Sequence, residues 1–268
     1  MSGNLAMASL SFTTSIHTSG TDPIADASVV QGAISEFEVV HIRVDSVPDD
    51  LRGYYNALVE SAGTPVDIAE DHLNGGAPTG ERWSEIRYDA DIPDHQAFRY
   101  SKNAQPFHTD ESYVSTAAGV MLFYCVSAAP TGGETIFVSG QALVDYLSQV
   151  APDLLSRLLT TNVRYQKALD FKERPIIGVG PSGEVDLNYN YFCVEPRQPK
   201  EALELNQEFR DFLDALPDEL ILPVALKPGD AVTWRDDLVL HGRNAFSASA
   251  TGDRLIWKTG IVLPESAA

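Results

Sequence analysis

The sequence predicts a mainly β fold with helical insertions, arranged as a double-stranded β-helix (jelly roll). Short runs of apolar and β-branched residues, separated by turns of Gly, Pro and Asp, occur in both halves of the chain. Segments with helical periodicity lie between groups of these runs and do not alternate with single strands. This order favours one β-rich domain over a sheet of βαβ units.

The first third of the chain predicts few regular elements. Residues 1–35 mix Ser, Thr, Gly and Asp with apolar residues and are expected to form an irregular lead-in. The β-branched run at 37–44 predicts a strand. Segments 49–60 and 65–73 have an apolar face at helical spacing and predict short helices, whereas 82–99 is rich in turn residues.

The middle of the chain contains the strongest predicted strand. The run at 119–126 is almost entirely apolar, as expected of a buried strand. A second strand is predicted at 134–138, after a Pro-Thr-Gly-Gly turn that is typical of a hairpin. Helices are predicted at 140–147 and 152–159, where a Ser and an Ala-Pro pair mark the starts.

The last third returns to β structure around one long helix. Residues 184–194 predict a strand or extended segment, and 200–216 has apolar residues spaced along one face of a helix. Four further strands, separated by Pro-Gly-Asp and Gly-Asp turns, are predicted at 221–226, 231–234, 238–240 and 255–262. We therefore expect a single domain over 1–268, with its core at roughly 98–262.

The composition limits the partners of this chain. Its hydrophobic content of 44% is enough for a real core, and its net charge of −19 disfavours binding to nucleic acid or to an anionic membrane. The sequence has no apolar run of membrane-spanning length and no basic start followed by an apolar stretch. We expect a cytoplasmic protein that acts on a small molecule; a homodimer is compatible with the sequence.

The two cysteines do not indicate a disulfide framework or a metal site. Cys125 and Cys193 are far apart, show no C-x-x-C spacing and lie in apolar or aromatic runs. They are expected to be buried free thiols.

The most informative residues are His108, Asp110 and the distant His241. In a strand, residues i and i+2 point to the same face, so His108 and Asp110 can converge on one ion. Together with a second imidazole they match the 2-His-1-carboxylate arrangement of non-haem Fe(II) oxygenases, which leaves the opposite face of the metal open. An H-x-D tripeptide is common by chance, so the interpretation depends on the segments around it.

Four segments carry a resemblance to a known family. They are Phe107-His-Thr-Asp110, Pro130-Thr-Gly-Gly-Glu-Thr-Ile-Phe137, Pro228 to Asp237 with His241-Gly-Arg243, and Gly252-Asp-Arg254. In this order they resemble the Fe(II)/2-oxoglutarate dioxygenases of the taurine-dioxygenase and clavaminate-synthase-like superfamily, over roughly residues 98–260. The resemblance implies an enzyme that uses Fe(II), 2-oxoglutarate and O2.

The resemblance also implies roles for individual residues. His108, Asp110 and His241 match the metal ligands. Thr135 matches the threonine that contacts a 2-oxoglutarate carboxylate, and Arg254 matches the arginine that pairs with its C5 carboxylate. Arg243 is expected to bind the C1 end of 2-oxoglutarate or a substrate carboxylate, or else to brace its turn. Halogenating relatives lack the carboxylate ligand, so Asp110 favours hydroxylation or another oxidation without halide.

The expected substrate is a small amino acid or amino-acid-like acid, and the expected setting is secondary metabolism. An arginine for a carboxylate and an acid for an amine would suit such a substrate. Candidate contacts are Glu111, Arg99, Asn103, Trp234 and Asp236, and further candidates are Tyr100, Tyr113, Asp170, Asn188 and Asn190. Glu111 could bind an ammonium group, or it could be a structural glutamate.

Several alternatives stay open at this point. Within the same family, the reaction could be a desaturation, a cyclisation or another oxidative cleavage of a small acid. A cupin-like protein that binds a metal without catalysis would share the jelly roll and the ligands, but would not need Thr135 and Arg254. A zinc hydrolase would need a general base near the metal-bound water, and no further motif supplies one.

Overall fold

The computed structural model describes residues 11–68, 70–71, 77–92, 98–114, 118–180 and 183–264. Its α-helices are α1 (Pro23–Glu36), α2 (Leu51–Ala62), α3 (Gly140–Val150), α4 (Pro152–Thr160) and α5 (Lys200–Asp214). Short 3-10 helices cover Tyr191–Cys193 and Asp218–Leu220. The helices predicted at 49–60, 140–147, 152–159 and 200–216 are confirmed, with ends that differ by a few residues.

Strands are the most numerous elements, so the predicted mainly β character is confirmed. In chain order they are β1 (Thr13–Thr18), β2 (Val39–Val44), β3 (Thr64–Val66), β4 (Glu70–Asp71), β5 (Ala77–Pro78), β6 (Ser84–Arg87), β7 (Gln105–His108), β8 (Val120–Ser127), β9 (Thr135–Ser139), β10 (Asn162–Lys167), β11 (Asp170–Pro175), β12 (Ile177–Val179), β13 (Val185–Leu187), β14 (Leu222–Val224), β15 (Ala231–Arg235), β16 (Val239–Arg243) and β17 (Leu255–Val262). Each strand predicted from 119 onward has a counterpart here, although the segment 184–194 is a strand only at β13.

The larger sheet has the strand order β1-β2-β15-β8-β17-β3, and β6 also pairs with β17. The prediction of an irregular lead-in at 1–35 is wrong for its described part, which contains β1 and most of α1. β1 is held by parallel pairing with β2, and α1 buries Ala27, Val30 and Ile34 in the same core cluster as residues of α2. Long-range contacts therefore order a segment whose local sequence is weakly patterned.

The prediction of a helix at 65–73 is also wrong. β3 pairs with β17 at the edge of the larger sheet, and Glu70–Asp71 forms β4, while residues 69, 72 and 73 lie outside the described ranges. Backbone hydrogen bonds to β17 outweigh the local helical spacing in this segment.

The smaller sheet has the antiparallel order β14-β9-β16-β7. One core cluster contains residues of both sheets, including Met121 and Phe123 of β8, Phe137 of β9, Trp234 of β15 and Val239 of β16. The two sheets are thus packed through a shared apolar layer, as in other two-sheet β proteins. Helices α3, α4 and α5 pack through a second cluster that also includes residues of the smaller sheet.

The turn between β8 and β9 does not form the predicted hairpin. β8 belongs to the larger sheet and β9 to the smaller one, so the turn carries the chain from one sheet to the other. Gly132 and Gly133 have φ angles of 75° and 80°, which glycine adopts without the strain of a side chain.

In the described part of the chain, three two-stranded ribbons, β4–β5, β10–β11 and β12–β13, lie outside the two sheets. β10 and β11 are absent from the sequence-based prediction, although buried Val163 and Tyr165 alternate with less buried residues in β10. Within the described ranges, each helix is too short or too polar to cross a membrane.

Candidate metal centre and its cavity

The sheet register brings the three predicted metal ligands together. His108 is the last residue of β7, and it lies directly opposite His241 of β16. Asp110 lies in the turn after β7 and not in a strand, so the turn, rather than strand alternation, directs it toward His108. One possible ligand atom from each residue lies within 4.8 Å of the others, and each Nε2 atom is 3.7 Å from an Asp110 oxygen.

Hydrogen bonds orient the imidazole of His108 for metal binding. Its Nδ1 donates to the carbonyl oxygen of Pro106 at 2.8 Å, which leaves the Nε2 lone pair directed at the cluster. The side-chain amide of Gln105 donates to this Nε2 at 3.1 Å, in the place where a metal ion would bind. The Nδ1 atom of His241 lies 3.5 Å from a carboxylate oxygen of Asp236.

Burial keeps both imidazoles neutral. It lowers the pKa of His241 to about 4, and burial together with the nearby His241 lowers the pKa of His108. Burial alone would raise the pKa of Asp110, but Lys258 and the histidines hold it well below its usual range. Two neutral imidazoles and an ionised carboxylate are a donor set that suits Fe(II).

Asp236 is a neighbour of the ligands rather than part of the cavity wall. Its Oδ2 accepts hydrogen bonds from the backbone N–H groups of Asp110 at 2.8 Å and Glu111 at 3.2 Å. Its Oδ1 accepts one from the indole N–H of Trp234 at 3.1 Å. Burial and the nearby Asp110 raise the pKa of Asp236 to about 7. Neither Trp234 nor Asp236 lines the cavity in which substrate would bind.

Two buried arginines lie beside the metal cluster, as a dicarboxylate cofactor would require. Arg254 donates from Nη2 to the carbonyl oxygen of Gly133 at 3.2 Å, and its buried Nη1 has no partner among the described residues. Arg243 donates to the carbonyl oxygens of Ser101 and Asn103 at 2.9 and 2.7 Å. Thr135, opposite Arg243 in the sheet, lines the same cavity.

The two arginines have little to balance their charge. Burial lowers the pKa of Arg254 to about 10, and burial with the neighbouring Arg254 lowers the pKa of Arg243 to about 9. A buried guanidinium with an unpartnered N–H is costly unless an anion binds to it. The residues present therefore fit the far carboxylate of 2-oxoglutarate, which a planar guanidinium can hold through two hydrogen bonds.

The cavity has a volume of about 520 Å³ and contains all three ligands, Arg254 and Thr135. Of the predicted substrate contacts, Glu111 and Arg99 line it, whereas the side chain of Asn103 is exposed elsewhere. The Glu111 carboxylate accepts from the backbone N–H groups of Ala118 and Gly119 at 2.9 and 3.2 Å. Those bonds give it a structural role in this cavity.

Sequence reasoning missed Lys258, whose Nζ lies 2.7 Å from Asp110 Oδ1. Lys258 belongs to β17 and stands four residues after Arg254, which immediately precedes that strand. Residues at even spacing along an extended chain share a face. That alternation was the available signal. Both cysteines are free as expected, although Cys193 is only half-buried and lines the cavity.

The sequence matches the family model "Taurine catabolism dioxygenase TauD, TfdA family" over residues 22–259. The chain belongs to this family. The expected relationship to iron- and 2-oxoglutarate-dependent dioxygenases is therefore confirmed.

The family model matches most of this TauD-family chain, whereas individual relatives match about half of it. Mitochondrial trimethyllysine dioxygenase of Gallus gallus is 31% identical over 167 residues, which cover 55% of this chain and 39% of that enzyme. The match thus spans well under half of the relative's length.

The solved structures with a similar fold include those of two oxygenase-type proteins, PvcB and asparagine oxygenase. The PvcB protein of Pseudomonas aeruginosa superposes with a TM-score of 0.67 at 20% identity, covering 94% of this chain and 86% of its own. Asparagine oxygenase in complex with Fe(II), 2S,3S-3-hydroxyasparagine and succinate gives a TM-score of 0.64 at 16% identity, covering 97% and 89%. At these identities the likeness concerns the fold.

Proposed function

We propose that this chain is an Fe(II)- and 2-oxoglutarate-dependent dioxygenase built on a double-stranded β-helix. It hydroxylates an unactivated C–H bond of a small amino acid or amino-acid-like acid, with release of succinate and CO2. The observation that carries this proposal is the position of Arg254 in the same cavity as the cluster of His108, Asp110 and His241. Arg254 is a buried cation, and its Nη1 has no hydrogen-bond partner among the described residues.

Each residue has a defined task in this proposal. His108, Asp110 and His241 hold the metal on one face. Arg254 and Thr135 bind the far carboxylate of 2-oxoglutarate, and Arg243 supports that end of the cavity through its bonds to the backbone. The bound iron, 2-oxoglutarate and O2 supply the oxidising chemistry, while the protein orients the substrate and excludes water.

The cavity supports a small substrate. Its volume of about 520 Å³ lies within the range of about 300–1,000 Å³ that is usual for small-molecule sites. Its wall carries positive and negative side chains, as a zwitterionic substrate requires; among them are Arg99, Lys167, Glu70 and Asp170. The relatives named for trimethyllysine and for asparagine agree with an amino-acid-like substrate.

Other oxidations by the same site are a second candidate. Desaturation, cyclisation and oxidative cleavage need the same ligands and the same cofactor contacts, and they differ in how the substrate is held. A metal-binding protein without catalysis would have no use for the Nη1 group of Arg254, which is buried and has no hydrogen-bond partner among the described residues. A zinc hydrolase would leave that group equally unexplained.

The test is succinate formation by protein loaded anaerobically with Fe(II) and then given 2-oxoglutarate and O2. A panel of free L-amino acids, taurine and related small acids is screened for stimulation, and products are checked by mass for the gain of one oxygen atom. We expect at least one acid to stimulate succinate formation, and Asp110→Ala to reduce the rate to background.

The matched control is Asp145→Ala, which removes an exposed carboxylate from α3 and should leave the rate unchanged. Protein that binds Fe(II) but neither binds nor consumes 2-oxoglutarate would contradict the proposal. A stimulated reaction whose product has lost hydrogen, without gaining oxygen, would favour desaturation instead.

A further inference from the structure

Three polar side chains from separate segments meet in the cavity wall without contacting the three metal ligands. They are Glu70 of β4, Tyr113 of the turn after β7, and Lys167 at the end of β10; we call them the Lys167 cluster. The Tyr113 hydroxyl donates to Glu70 Oε1 at 2.8 Å, and Lys167 forms an ion pair with Glu70 Oε2. The Lys167 ammonium also lies 3.3 Å from the Tyr113 hydroxyl.

The metal and 2-oxoglutarate do not account for the Lys167 cluster. Its members are separate from the proposed cofactor contacts, Arg254 and Thr135. The side chains of Lys167 and Glu70 are only 26% and 19% exposed, so this ion pair has lost much of its hydration. Such a pair contributes little net stability compared with apolar residues of similar size, which leaves recognition as a reason for its presence.

The remaining cations of the cavity have other partners. Arg254 and Arg243 lie at the proposed cofactor end, and Lys258 is paired with Asp110. Arg99 donates to the backbone carbonyl oxygens of Glu70 and Glu85, which places a second positive charge beside the cluster. An ammonium group has three N–H donors, and the described contacts of Lys167 use two of them.

We infer that the Lys167 cluster binds the head group of an α-amino acid. Lys167 donates to the substrate carboxylate, Glu70 accepts from the substrate ammonium, and Tyr113 fixes the Glu70 carboxylate between them. The substrate side chain then extends toward the metal ligands, so oxidation takes place on a side-chain carbon and not at Cα. This inference rests on the proposed function and names the part of the substrate that the enzyme recognises.

The experiment compares three related compounds: the L-amino acid that gives the most succinate in the panel, its carboxamide, and its analogue without the amino group. In the natural protein the amino acid should have a kcat/KM about 10- to 100-fold above either analogue, as for loss of a hydrogen bond between charged groups. Lys167→Met should remove the preference for the amino acid over its carboxamide. Glu70→Gln should remove the preference for the amino acid over the analogue without the amino group. The KM for 2-oxoglutarate should not change.

Matched controls remove charges of the same sign elsewhere. They are Lys200→Met, an exposed lysine of α5, and Glu173→Gln, an exposed residue of β11. Lys167→Arg keeps the positive charge and should keep the preference for acid over amide, even where the rate falls. This variant separates recognition of the substrate from stabilisation of the β10–β11 ribbon.

The outcomes distinguish this inference from the proposed function. If the natural protein turns over the acid and its amide equally well, the inference is overturned while the dioxygenase assignment stands. The inference is also overturned if Lys167→Met lowers the kcat/KM values for the acid and for its amide in equal proportion. If no compound stimulates succinate formation, the proposed function itself fails. The comparison within the natural protein needs no variant to fold.

Discussion

At the scale of single residues, Asp236 lies beside two of the three proposed metal ligands. Its carboxylate accepts from the backbone N–H of Asp110 and lies near Nδ1 of His241, so it touches two of the three ligands. Such neighbours fix the orientation of a ligand, and their loss typically lowers metal affinity about 10- to 100-fold. Asp236→Ala is expected to weaken Fe(II) binding by about this factor, measured by anaerobic titration of the metal-free protein.

The adjacent Asp237 offers a control for this prediction. Asp237→Ala also removes a carboxylate near β16, but that carboxylate pairs with Arg235 at 3.2 Å and does not contact a ligand. Its Fe(II) affinity should stay within about 2-fold of the natural protein. Equal weakening in both variants would mean that Asp236 acts only through general stability.

The residues of the candidate site differ in how far sequence could predict them. His108, Asp110, His241, Thr135 and Arg254 stand in short motifs, and all of them line one cavity. The sequence indicates only Tyr113 of the Lys167 cluster, because Glu70 and Lys167 come from separate segments that the fold brings to it. Trp234 and Asp236 were expected to contact substrate, but a buried bond between them directs Asp236 toward the backbone of the ligand turn.

At the scale of elements, the turn from β8 to β9 links the cofactor end of the cavity to both sheets. A Cβ atom on Gly133 would lie 3.1 Å from Nε of Arg254 and 3.3 Å from its Cδ. Gly133→Ala should therefore displace this guanidinium, in addition to a cost of about 1–2 kcal/mol for the φ angle of 80°. We expect a KM for 2-oxoglutarate about 10-fold higher, measured by succinate formation.

Gly183→Ala separates backbone strain from crowding of Arg254. Gly183 has a φ angle of 89°, but apart from its chain neighbours no described residue has an atom within 4 Å of the position of a Cβ there. This variant should lose a similar free energy of unfolding and keep the natural KM for 2-oxoglutarate. An unchanged KM in Gly133→Ala as well would argue against Arg254 as the cofactor contact.

Elements with a strong local pattern were predictable, and those that depend on distant partners were not. The apolar run of β8 is buried throughout most of its length and shows this in its sequence. In α1, by contrast, Asp26 is buried and accepts from the backbone of Ser19 and Gly20 and from the Tyr54 hydroxyl of α2. From sequence alone an aspartate is predicted to lie at the surface or in a loop, because the hydrogen-bond partners that allow its burial are not visible there.

At the scale of the whole molecule, the candidate site joins the two sheets. His108 and His241 belong to the smaller sheet, whereas Arg254 immediately precedes β17 of the larger sheet. A metal with bound 2-oxoglutarate would contact residues of both sheets in the folded protein. The unfolded chain does not bring these residues together and would not bind the pair. Ligands that bind only the folded state stabilise it according to their concentration relative to Kd.

We therefore expect Fe(II) and 2-oxoglutarate, added without O2, to raise the free energy of unfolding by about 2.7 kcal/mol at 100 times Kd. For a protein of this size, the melting temperature should rise by about 5–10 °C. The two ligands should stabilise more together than the sum of each alone, because the metal completes the site for 2-oxoglutarate. In Arg254→Met the metal should still stabilise, and the added effect of 2-oxoglutarate should be lost. If 2-oxoglutarate stabilised that variant as well as the natural protein, its far carboxylate would have to bind elsewhere than between the sheets.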